Sequence, residues 1–190
     1  MILVLKCPFY TISPVFHERY LQKKTDKMKR VVLYFSIVFA SGVLFVNMYN
    51  SIVDTTAWGA HFPESIQTTK AYYQNVNPGT FFRVFSPLNQ VLALLSLILF
   101  WRTSSQVRTF LLVAFILYVL ADVFTFAYFY PRNDIMFKSD ISTNLQAIKT
   151  AWKQWVPMNW LRSFIILVGL ICSFIALHKI SSRSLKSLHQ

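Results

Sequence analysis

Four side chains of this chain pair chemical capability with an unusual location: Asp54, Asp122, Asn159 and Arg162. Asp122 interrupts the apolar run Phe110–Tyr130, and Arg162 stands at the head of another that begins at Ser163. In an apolar setting an ionised group needs a counter-charge, a proton or a path to the interface. Trp155, Asn159 and Arg162 are spaced i, i+4, i+7 and share one helix face. A carboxylate shielded from water is suited to act as a base, and a guanidinium beside an amide can stabilise an oxyanion such as a phenolate or enolate. These four residues are the candidate catalytic set.

A wider ring of residues suits ligand binding. Asn47, Asn50 and Asp54 are spaced i, i+3, i+7 and lead to Trp58. Arg83, Asn89 and Gln90 lie near the start of a second apolar run, and Asn133 comes after the third. If these stripes face one another they line a polar and aromatic cavity, in which Arg162 is expected to pair with Asp122 or Asp54. Each residue also has a plainer reading. Asn and Gln serve as glue between membrane helices, Trp155 suits an interfacial anchor, and Arg162 can snorkel to the membrane surface.

The elements that must position these groups are four long apolar segments, at Val31–Tyr49, Phe81–Trp101, Phe110–Tyr130 and Trp160–Ile180. Nineteen residues of helix rise about 28 Å, enough to cross a hydrocarbon core. Hydrophobic residues make up 55% of the chain and charged residues 14%, well below the share in soluble domains. The fold expected is all-α: a four-transmembrane-helix bundle with two outward loops, about 51–80 and 131–159, that carry short helices or strands over the bundle mouth. Residues 1–29 form a basic N-terminal arm, 30–180 the membrane domain and 181–190 a tail. Met28-Lys29-Arg30 would also serve as a start, which makes the preceding residues an extension or an interfacial arm. The first apolar run continues well past the small residues Ser36–Ala40, which favours an uncleaved span over a signal peptide.

Twelve of the 19 basic residues precede the first span, join the second to the third, or come after the fourth; seven lie on the other side. The positive-inside rule therefore places both termini in the cytoplasm, in a plasma or inner membrane. The net charge of +12 clusters beside apolar runs, so it speaks for membrane orientation and not for nucleic acid. Cys7 and Cys172 show no metal or disulfide spacing. The four histidines are scattered, and His61 with Glu64 is a weak pair, so no metal site is expected. No glycine-rich phosphate loop and no Gly-x-Ser-x-Gly turn is present, and no cofactor is expected.

The third span ends in Tyr130-Pro-Arg-Asn133-Asp134, and Trp152-x-x-Trp155-x-x-x-Asn159-x-x-Arg162 opens the fourth. In these motifs, and in the placement of Gly42, Asp54 and Trp58, residues 30–180 resemble the four-helix integral membrane family of unknown function that includes the fungal anthrone oxygenases. The resemblance implies oxygenation of anthrones to anthraquinones without an obvious cofactor, and it carries over to Asn133, Trp155, Asn159 and Arg162. The aromatic, Asn-rich stretch Tyr72–Pro78 and the basic arm depart from the family pattern. Two functions stand open. One is an oxygenase-like enzyme acting on a lipophilic aromatic small molecule. The other is a non-catalytic lipophile-binding module or membrane-complex subunit. Membrane lipid is a partner in either case, and a homo-oligomer is compatible with both.

Overall fold

The computed structural model describes residues 14–186, so Cys7, Lys6 and His189 lie outside the described residues. The described chain runs α1 (Pro14–Tyr49), a π-helical turn (Asn50–Asp54), α2 (Thr55–Gly59), α3 (Glu64–Tyr72), α4 (Pro78–Leu99), α5 (Ser105–Phe124), a second π-helical turn (Thr125–Phe129), α6 (Tyr130–Lys138) and α7 (Ile141–Lys186). Four helical stretches are long and apolar enough to cross a membrane: Lys24–Gly59, Pro78–Leu99, Ser105–Lys138 and Ile141–Arg183. The expected all-α four-span bundle is therefore present, and no strand occurs among the described residues.

Local sequence explains the boundaries. Asn77 caps α4 by accepting from the Gly79 N–H at 2.9 Å, with Pro78 at a position where its missing N–H costs nothing. Ser104 does the same for α5 through the Val107 N–H at 3.3 Å. Pro131 cannot donate to the carbonyl one turn upstream and crowds it. The second π-helical turn, immediately before α6, absorbs that defect.

The spans are longer than the apolar runs alone. The first helical stretch continues through the π-helical turn to Gly59, the third runs on to Lys138, and the fourth starts at Ile141. The loops expected at 51–80 and 131–159 are thus largely helical. The helix also passes through residue 30 without a break. α1 and α5 each pack against both α4 and α7, which sets α1 opposite α5 and α4 opposite α7.

Two hydrophobic cores result. The larger runs along the bundle and includes Leu33, Ala40, Leu97, Leu111, Tyr118, Ile166 and Ala176. The smaller caps the end remote from the termini, where Trp58, Ile66, Phe129, Met136, Ile148, Ala151 and Trp155 close together. A polar layer built around Asn47, Asn159 and Arg162 lies between these two cores.

Candidate functional site

Arg162 sits where all four spans meet and is 5% exposed. Its Nη1 donates to Thr125 Oγ1 on the third stretch at 2.9 Å. Its Nη2 donates to Asn159 Oδ1 on α7 at 2.6 Å and to Asn47 Oδ1 on α1. Its guanidinium lies 4.3 Å from the Phe129 ring centre and 5.2 Å from that of Phe82 on α4. Such faces attract a cation, the more so when both are removed from water.

The two asparagines form a reciprocal clasp. Asn47 Nδ2 donates to the Asn159 carbonyl at 3.2 Å and to Ser163 Oγ at 2.6 Å. Asn159 Nδ2 donates to the Asn47 carbonyl at 3.0 Å and to Ser51 Oγ at 2.6 Å. Each serine lies four residues after its asparagine and donates back to that asparagine's carbonyl. The motif Asn-x-x-x-Ser thus occurs once on each of two antiparallel helices, and a local two-fold axis relates the copies. All four amide hydrogens of Asn47 and Asn159 are committed within the protein, so only their carbonyl oxygens act, and both act on Arg162.

The expected ion pair between Arg162 and Asp122 or Asp54 does not form. Among the described residues, the carboxylates within salt-bridge distance of a cation are Asp26, 3.6 Å from Lys29, and Asp134, 2.7 Å from Lys138. Neutral carbonyls already occupy the guanidinium edge that a carboxylate would use. Asp122 instead accepts from Gln90 Nε2 across the seam between α4 and α5. Asp54 ends the first π-helical turn. An extra residue in one turn rotates the rest of the helix by roughly 100°, which takes Asp54 off the Asn47 face. Turned to satisfy both groups, the Asn50 amide donates to Asp54 Oδ2 at 2.9 Å. Burial, and secondarily Asp54, push the phenol of Tyr73 in the cap up to about 12.

Three further expectations need correction. Arg83 is exposed and turns back toward the Gly79 carbonyl at 3.4 Å, so it lines no site. Trp155 is no interfacial anchor, being 4% exposed. Its indole N–H donates to Asn133 Oδ1 at 2.9 Å, and its ring packs edge-on against Trp58 at 5.1 Å and Phe129 at 5.2 Å. This joins the buried Trp58 and Trp155 to the half-buried Asn133, and Phe129 links the group to Arg162. Last, the polar layer is closed. The cavity beside Asp122, lined also by Ser86, Asn89 and Tyr118, measures about 10 Å³. A larger recess of about 370 Å³ lies between α6 and α7, and no expected site residue lines it.

Sequence reasoning missed the roles of Ser51, Ser163, Ser86 and Phe82. For Ser51 and Ser163 the signal was legible: a small hydroxyl one turn after an asparagine, on two helices. For Phe82 none was available, since aromatic residues are abundant throughout.

Arg162 carries five N–H groups, and three are used. Its Nε has no hydrogen-bond partner among the described residues, nor does Asn89 Oδ1. Chemically, the layer offers a fixed buried cation with an uncommitted donor and, on the neighbouring helix pair, a half-buried carboxylate.

The comparisons with known proteins bear on the same stretch. No curated protein and no solved structure matches the chain. The family model described as anthrone oxygenase matches residues 80–172, narrower than the 30–180 expected from the motifs. Over that stretch, which supplies Asn89, Gln90, Asp122, Thr125, Asn159 and Arg162, this four-span membrane chain resembles the anthrone oxygenase family.

Proposed function

We propose that this protein is an integral-membrane oxygenase acting on a lipophilic aromatic ketone of the anthrone class, with both termini cytoplasmic. The observation that carries this reading is the buried Arg162 guanidinium, held by neutral groups and with Nε–H uncommitted. Asp122 takes a proton from the activated CH₂ of the substrate. The electron pair spreads to the ketone oxygen, and Arg162 stabilises the resulting anion. Molecular oxygen accepts the electrons and bonds to the carbanion carbon, and loss of one water leaves a second carbonyl. The sum is one CH₂ and one O₂ giving one C=O and one H₂O. Phe82 and Phe129 flank the charge, and substrate enters from lipid by parting the α4–α5 seam that Gln90 and Asp122 close. Asn47 and Asn159 orient Arg162; they do not touch substrate.

The test is oxygen uptake and quinone absorbance with hydroxylated anthrones, using protein in lipid nanodiscs. Arg162→Gln should lower kcat by about 10²-fold or more, the loss typical of one oxyanion donor. Wild-type protein that consumes no oxygen with any of them would overturn the reading. The closed layer, with only about 10 Å³ free beside Asp122, favours a second reading. In it the same network is a latch in a non-catalytic membrane-complex subunit. That reading predicts that Arg162→Gln loses its partner proteins on co-purification while wild type stays inactive.

A further inference from the structure

We propose that the small cavity between α4 and α5 is a binding site for one structural water, held by Asn89, Ser86 and Asp122, through which Asn89 positions the Asp122 carboxylate. The first observation is a buried polar atom with nothing to bond. Asn89 is 3% exposed, and its Oδ1 has no hydrogen-bond partner among the described residues. A stranded amide oxygen costs about 1–3 kcal/mol, so such atoms are normally satisfied.

The second observation is a cavity at that position. Val43, Ser86, Asn89, Tyr118, Ala121, Asp122 and Ile166 enclose about 10 Å³. This is close to the least space that admits one water and too little for anything larger. The polar walls fit a single water. Asn89 Oδ1 and the carboxylate are acceptors, and the Ser86 hydroxyl is a donor. One water donates to the first two, and the Ser86 hydroxyl, which both donates and accepts, lies within reach of the same carboxylate. Val43, Ala121 and Ile166 supply the apolar walls.

Positioning rests on the geometry. Gln90 Nε2 donates to Oδ2 of Asp122. One donor fixes a carboxylate at a single point, about which it can still turn; a second, delivered by the water that Asn89 holds from the same helix, restrains that turn. Asn89 is therefore a positioning residue that acts on Asp122 through the water. The water site itself stands on the cavity and the stranded amide oxygen. Its effect on turnover rests on the reading of Asp122 as base.

The experiment has two arms. A structure in nanodiscs at about 2 Å resolution should show one peak within hydrogen-bond distance, about 2.6–3.2 Å, of Asn89 Oδ1 and the Asp122 carboxylate. Asn89→Leu should fold and lose the peak, whereas Asn89→Ser keeps an acceptor and retains it. A dry cavity with the Asn89 amide bonded to protein would overturn the site, as would a peak with five or more oxygen ligands near about 2.4 Å, the signature of a cation. In the second arm, Asn89→Leu should lower kcat for oxygen uptake about ten-fold with KM unchanged, and Asn89→Ser should restore most of it. An unchanged kcat in Asn89→Leu would overturn the positioning role. Inactive wild-type protein would overturn that role together with the base reading and leave the water to be decided by density alone.

Discussion

Asn47→Ala is the sharpest perturbation of the polar layer, because three contacts can be costed separately. Two are amide donations from α1 to α7, at 3.2 Å to the Asn159 carbonyl and 2.6 Å to Ser163 Oγ. Between membrane helices such bonds average about 0.6 kcal/mol each. The third is the bond that Asn47 Oδ1 accepts from Arg162, and bonds to a charged group are worth about 1.5–3 kcal/mol. The expected loss is therefore about 3–4 kcal/mol, read as unfolding free energy in mixed micelles. Asn159→Ala should cost a similar amount, since the clasp repeats its contacts two-fold. Arg162→Met should cost less than its three bonds suggest, because removing the charge returns its desolvation penalty. In the double variant Asn47→Ala/Arg162→Met the charged bond is already gone, so the single costs should exceed the double by about 1.5–3 kcal/mol. Single effects that add to within about 0.5 kcal/mol would refute the argument. Asn47 would then be interhelical glue with no hold on the guanidinium.

Trp155→Phe keeps the packing on Trp58 and Phe129 but loses the bond to Asn133. It should destabilise by about 1 kcal/mol, and adding Asn133→Leu should cost little more. Gly59→Ala places a Cβ well inside contact distance of Trp152 Cζ2 and must dislodge the indole from the Thr55 carbonyl it donates to at 3.0 Å. A cost of about 1–3 kcal/mol and altered Trp152 fluorescence are expected, and an unchanged spectrum would contradict the packing. Asp140 caps the start of α7, and its carboxyl is held below its usual value by the Ser142 N–H and hydroxyl, with Lys70 assisting. The cap is thus complete above the ordinary carboxylate range and is lost as pH falls through the lowered value. Amide exchange at Ser142 should accelerate there, and Asp140→Asn should flatten that dependence. Arg83→Ala, at an exposed position, should leave both stability and oxygen uptake unchanged.

The bundle was legible because hydrophobic runs of membrane length leave few alternatives, and the depth of the polar groups comes from counting residues along each run. What the spacing could not show was phase. Asn47, Asn50 and Asp54 lie on one face of a regular helix, and the π-helical turn at Asn50–Asp54 takes Asp54 off the Asn47 face while leaving it bonded to Asn50. One cause of such irregularity was visible at Pro131, which stands just after the second π-helical turn. Nothing comparable marks the first. Counter-ion choice was misjudged for a related reason. Charge complementarity favours Arg162 with Asp122, but the side-chain oxygens of two asparagines whose amide hydrogens hold the α1–α7 contact fill the same edge. The clasp itself was visible in Asn47-x-x-x-Ser51 and Asn159-x-x-x-Ser163, a pattern that acquires meaning only once α1 and α7 are known to be antiparallel neighbours.

The choice of neutral partners for Arg162 has an electrostatic consequence. A carboxylate bonded to the guanidinium would cancel most of its charge at any distance that matters to a ligand. Two amide carbonyls, one hydroxyl and two aromatic faces lower the cost of burying the cation without cancelling it. Asp122, the carboxylate that could have neutralised it, is kept on the α4–α5 seam by Gln90. The layer therefore bonds acid and cation to different partners, with an N–H of the cation still to offer. Under the function proposed above, that separation is the arrangement an incoming anion, formed when a proton passes to the carboxylate, would require.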